Sequence, residues 1–150
     1  MFDASLILVD GTVSIDADTV TSYAAPTATT AVSATGAAVV DVSKTGVNGL
    51  AAVMILPTAE DAGTTDTLTA FIEASDVLAF TSDIHKLGSF DIAGASGGVI
   101  LGAEGPDVAV VRFATNKKYV RVNWTPAKDN GNGDFGKIKV YLSPYPFVHL

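Results

Sequence analysis

Thiolate chemistry is closed to this chain, because cysteine is absent from its 150 residues, so histidine, carboxylate and hydroxyl side chains are the first candidates for catalysis. His85 and His149 are the only imidazoles. A hydrolytic triad needs one of them beside an activated hydroxyl, and no Gly-x-Ser-x-Gly elbow is present. His85 sits in Asp83-Ile84-His85-Lys86, which reads as a turn, and His149 is next to the last residue; both read as ordinary surface residues. Without thiolates, a transition-metal site would need carboxylates around these two unrelated imidazoles. Asp129-Asn130-Gly131-Asn132-Gly133-Asp134 invites a calcium reading. Counted alternately from Asp129, however, it offers Gly131 and Gly133, and no downstream Glu supplies a bidentate ligand. It reads better as a turn, since Asn-Gly and Gly-Asp tolerate positive φ. Asp16 and Asp18, with Asp10, form a weaker carboxylate set.

Gly94-Ala95-Ser96-Gly97-Gly98 and Gly102-x-x-Gly105 lack the following helix and the Lys-Ser/Thr pair of a phosphate cradle, so they read as strand connections. The expectation is a non-enzymatic protein without cofactor or metal. Contact chemistry is better represented. Tyr119, Arg121 and Tyr141 fall on the polar faces of alternating segments, whereas Trp124 shares its face with Val120 and Val122 and reads as core. In Ser143–Leu150, Tyr145, Pro146 and Phe147 form an apolar tail whose two prolines bar an ordinary central strand. These six residues, Tyr119, Arg121, Tyr141, Tyr145, Pro146 and Phe147, are the candidate partner contacts.

The elements that carry them have a period of two. Leu68, Ala70, Ile72 and Ala74 share one face; Val120, Val122 and Trp124 share another; Ile138, Val140 and Leu142 alternate with Lys137, Lys139 and Tyr141. Each spacing predicts a half-buried strand with its polar face toward water or a partner. The continuously apolar Val108–Phe113 reads as a central strand. Weaker strands are expected near Ser5–Val9, Thr12–Ile15, Ala38–Val42, Ala51–Leu56, Val77–Thr81, Ser89–Ile92 and Gly98–Leu101, separated by turns such as Asp10-Gly11 and Asn48-Gly49. Thr58–Ala62 allows one helical turn at most before Gly63. Residues 17–38, rich in Ala, Thr and Ser and holding Pro26, read as a loop or an arm that orders against a neighbour. Eight to ten short strands in one domain over 1–150 predict an all-β, jelly-roll-like antiparallel β-sandwich, with an immunoglobulin-like sandwich as the alternative.

Charge narrows the function classes. Only 17% of residues are charged and the net charge is -7. The acids concentrate before residue 85 and all bases but Lys44 after it, an asymmetry that can steer docking or cancel within one compact fold. The acidic total argues against nucleic acid as a partner. No stretch approaches the ~20 apolar residues of a membrane span, and the first residues lack a signal-peptide pattern, so synthesis in the cytoplasm and no membrane partner are expected.

Thr67–Asp76 followed by Lys86-Leu87-Gly88-Ser89-Phe90, then Lys118–Trp124, Gly136–Leu142 and the opening Phe2–Leu8, together resemble the capsid cement, or decoration, proteins of tailed bacteriophages. The resemblance implies a jelly-roll protein that binds the outside of the assembled major capsid protein lattice and stabilises the head. It also implies a homodimer or homotrimer, located on the virion exterior. The alternative is a carbohydrate-binding module of a phage tail or cell-surface protein, which would need exposed rings such as Tyr119 and Tyr141.

Overall fold

The computed structural model describes residues 6–16, 24–31, 35–43, 49–56, 66–93, 107–127 and 133–144. They hold eight strands: β1 (Ile7–Asp10), β2 (Val40–Asp41), β3 (Gly49–Leu56), β4 (Thr67–Ser75), β5 (His85–Ala93), β6 (Asp107–Ala114), β7 (Tyr119–Ala127) and β8 (Lys139–Pro144). One sheet has the order β1-β8-β3-β6 and the other β2-β7-β4-β5. Every pairing is antiparallel. The first strand pairs with the eighth, the second with the seventh, the third with the sixth and the fourth with the fifth. Apart from the β4–β5 connection, each consecutive strand lies in the opposite sheet. This is one long antiparallel ribbon rolled into two layers, the jelly-roll order. No α-helix occurs among the described residues, and no helix there is long and apolar enough to cross a membrane.

Period-two patterning fills the space between the sheets. Leu68, Ala70, Ile72 and Ala74 enter from β4, Val120, Val122 and Trp124 from β7, Leu50, Ala52, Met54 and Leu56 from β3, and Val140 and Leu142 from β8, all buried. Full burial of each large aliphatic side chain stabilises by about 1.5–3 kcal/mol. On β1 two consecutive side chains, Leu8 and Val9, are both buried because the register slips between Ile7 and Val9, a bulge that turns both inward.

Four expectations are corrected. Thr12–Ile15 forms no strand; Asp10 Oδ1 accepts from Thr12 N at 2.8 Å and from Thr12 Oγ1 at 2.7 Å, closing a turn, and Ile15 then bonds to the 134–136 segment. Val77–Thr81 is a turn in which Phe80 takes a φ of 51°. The strand expected at Ser89 starts at His85, which therefore lies in a strand and not in a turn. Val108–Phe113 is a sheet edge and not a central strand: Val108 is 64% and Val110 51% exposed, while Phe113 is buried. A valine-rich run has the same composition whether water or protein lies on its outer side. The strand expected at Gly98–Leu101 and the turn at Thr58–Ala62 lie outside the described residues.

The free edge of β1 is covered by its own chain. Asp10 N donates to Gly36 O at 3.0 Å and Ala38 N to Leu8 O at 2.9 Å before the chain crosses into β2. Gly36 makes this possible, with a φ of 63° and no room for a side chain: a Cβ there would lie 2.1 Å from Asp10 Oδ1. Gly36→Ala is expected to destabilise the protein by about 2–3 kcal/mol, a fall in Tm of roughly 5–10 °C measurable by scanning calorimetry. An unchanged Tm would contradict this account of the crossover.

Candidate functional site

Each sheet turns one face to the core and one outward, and the two outward faces differ. On the β2-β7-β4-β5 sheet, the pairing of β4 with β7 puts Glu73 directly opposite Arg121 and Phe71 opposite Asn123. Arg121 Nε donates to Glu73 Oε2 at 2.9 Å, with Nη2 2.8 Å from the same oxygen, and Asn123 Nδ2 donates to Oε1 at 3.1 Å. Arg121 Nη1 donates to the carbonyl of Pro26 at 3.2 Å, and the Phe80 ring lies 4.1 Å from the guanidinium carbon. Glu73, Arg121, Phe80 and Pro26 are all buried. The left-handed backbone of Phe80 turns its ring onto this pair, where a cation over an aromatic face gains further attraction. Part of the Ala/Thr-rich segment thus docks on its own chain, through Pro26 and through the bond from Val39 N to Ala28 O at 2.9 Å. Arg121, expected as an outward partner contact, is instead committed to a buried pair. Alternation shows which face a residue occupies, and not what lies over that face.

At one end of the sandwich the β4–β5 and β6–β7 connections are tied by charge. Lys117 Nζ donates to Asp76 Oδ2 at 3.0 Å and to Asp83 Oδ2, and His85 Nε2 lies 2.8 Å from Asp83 Oδ1. Beside them is an open pocket of about 410 Å3 lined by His85, Leu87, Ala114, Thr115, Asn116 and Lys117. The hydrogen bond from Lys117, then that from His85, lowers the Asp83 carboxyl below its ordinary 3.8. The bonds to Asp83 and then Asp76 raise the Lys117 ammonium above its ordinary 10.5. His–Asp pairing is half of a general-base arrangement. Among the described lining residues the one hydroxyl, Thr115 Oγ1, accepts from Lys117 N at 3.1 Å. Geometrically the cluster works as a latch between two loops.

The outward face of the β1-β8-β3-β6 sheet has a different character. Strand registry aligns Ile7 with Tyr141, Tyr141 with Val53, and Val53 with Val110, an apolar row across all four strands. The next row pairs Lys139 with Ile55 and Ile55 with Val108. Ile7 is 36% exposed, and Val108 and Val110 exceed half. Arg112 and Lys139 stand exposed at the rim. An apolar face rimmed by polar groups is the usual form of an interaction surface. Of its residues, Tyr141 alone was among the expected contacts; the row becomes visible only when registry is known, because its members come from four distant segments. Tyr119 lies on the other sheet with Lys118 Nζ 5.0 Å above its ring, so the two tyrosines cannot share one groove. Tyr145, Pro146 and Phe147 lie outside the described residues.

Trp124 is buried as expected, and among the described residues no acceptor meets its Nε1–H. Asp134 accepts from Ser14 Oγ, and from Gly136 N at 2.8 Å, fastening the turn after β7 to the segment after β1. The other residues of the calcium reading, 129–132, and Asp18 lie outside the described residues. Among the described residues, no three His, Asp or Glu side chains converge as a metal site would require. Compared with family models, with curated proteins and with solved structures, the chain finds no match.

Removing one member of a buried ion pair strands the other. Glu73→Gln is expected to cost about 3–5 kcal/mol in urea unfolding, whereas Glu73→Leu combined with Arg121→Met recovers most of the loss. Equal losses in the two proteins would rule out the pair as the cause. The loop latch has its own pH signature. The lowered Asp83 contributes fully above pH 3.8 and loses its contribution as pH falls through its folded value; the raised Lys117 contributes fully below pH 10.5 and loses it as pH rises through its folded value. Lys117→Met should therefore move the Asp83 carboxyl resonance upward in pH toward 3.8 in a carbon-13 titration. A titration that does not shift would show that Lys117 does not hold it.

Proposed function

We propose that the protein is a capsid cement protein that binds the outer surface of an assembled major capsid lattice as a small homo-oligomer and stabilises the head. The observation that carries this reading is the apolar Ile7–Tyr141–Val53–Val110 row on the outward face of one jelly-roll sheet. The resemblance of the Thr67–Asp76, Lys118–Trp124 and Gly136–Leu142 segments to such proteins and the charge-poor composition support it. A ligand that binds only the mature lattice stabilises that lattice by mass action. Repetition over a symmetric shell converts modest single contacts into firm attachment. In this role the row faces the shell, the polar opposite sheet faces water, and the virion exterior is the site of action.

Co-sedimentation with expanded heads tests the proposal. The protein is expected to pellet with expanded heads, and Ile7→Lys combined with Tyr141→Ala should weaken binding at least ~30-fold, the loss of a contact worth about 2 kcal/mol, with an unchanged circular dichroism spectrum. Failure of the unmodified protein to bind, or undiminished binding by the double variant, would overturn the reading.

A further inference from the structure

A sandwich of two open sheets has four edges, and three of them are blunted here. Gly36–Ala38 covers β1. The β2 edge is two residues long. The β5 edge is broken by a bulge at Leu87, where Ile72 faces Gly88 and Glu73 faces Lys86, and it carries exposed His85, Lys86 and Asp91. The fourth edge, β6, runs eight residues without proline, lysine or a register shift, and no described strand pairs with its outer side. Beside it a groove of about 290 Å3 separates β6 from β5 and reaches the core side chains Met54, Leu56, Phe90 and Ile92. Natural proteins rarely leave an edge in this state unless something pairs with it.

We infer that β6 pairs antiparallel with β6 of a second copy, joining two first sheets into one eight-stranded sheet about a two-fold axis. Side chains directly opposite each other in such a pair must lie on the same face, so the axis passes through a residue and not between two. Charge selects which residue. Centring on Val111 sets the two Arg112 residues roughly 7 Å apart along the strands, inside a Debye length of about 8 Å. Centring on Val110 separates them by roughly 14 Å. Val110 then meets its own copy, and the apolar row runs unbroken from Ile7 of one copy to Ile7 of the other. The interface is isologous and closes at two copies. It rests on the cement reading only for its use, since it supplies that reading's homo-oligomer.

The absence of cysteine makes the test direct, because a single introduced thiol can bridge only to another molecule. Opposite residues of an antiparallel pair fall within disulfide reach. Val110→Cys should oxidise to a covalent dimer in high yield, whereas Val108→Cys, which faces Arg112 of the partner, should not. Light scattering should give twice the 15.3 kDa of one chain for the unmodified protein and the single mass for Val110→Lys, with the circular dichroism spectrum retained. A monomeric unmodified protein would overturn the inference. A dimer indifferent to Val110→Lys, or equal cross-linking at Val108 and Val110, would also overturn it. A dimer that fails to bind heads would sustain the inference while removing the cement reading.

Discussion

In a nested pairing the first strand meets the last, and everything else in this molecule is subordinate to that closure. β8 lies between β1 and β3, so until residues 139–144 are in place β1 has no partner in its sheet and β3 lacks one of its two. The β4–β5 hairpin can form locally, but the pairings outside it span progressively longer stretches of chain. Folding rates fall as contacts become less local, and this topology belongs with the slow, non-local β-sandwiches. The same closure decides which residues become neighbours, and therefore what the outward faces are made of.

Nesting also explains the uneven charge. Because strands of the first half pair with strands of the second, an acid-rich half is folded against a base-rich one. Glu73 meets Arg121, Asp76 and Asp83 meet Lys117, and Asp10 lies opposite Lys139. The charge of Glu73 and Arg121 and of Asp76, Asp83 and Lys117 is used within the chain, where the buried Glu73–Arg121 pair is costly to break from one side and the exposed loop latch is worth little. What the nested pairing leaves facing outward on the first sheet is mainly the apolar row.

Much of the core was legible without coordinates. Period two placed Leu68, Ile72, Val122, Trp124 and Leu142 inside, because the pleat forces alternate side chains to opposite faces. The two-layer β architecture followed from strand count and turn spacing. What alternation cannot carry is identity of neighbours. It assigned Arg121 to an outward face without showing that Phe80 and Pro26 close over it, and read Val108–Phe113 as central when it is an edge. His85 reads as a turn residue in the sequence because the bulge at Leu87 leaves no mark in composition. The site itself was legible only at Tyr141, since Ile7, Val53 and Val110 become one surface through registry alone.

The pairing of Ile7 with Tyr141 has a mechanical consequence. The start of β1 and the finish of β8 lie at the same end of an antiparallel pair, with their hydrogen bonds lying across the strands. A pull separating those two points loads the bonds one after another, as in opening a zip, and the strands part at low force. Tension spread across the sheets instead loads many bonds together. The molecule is thus weak when drawn by its ends and strong when gripped by its faces.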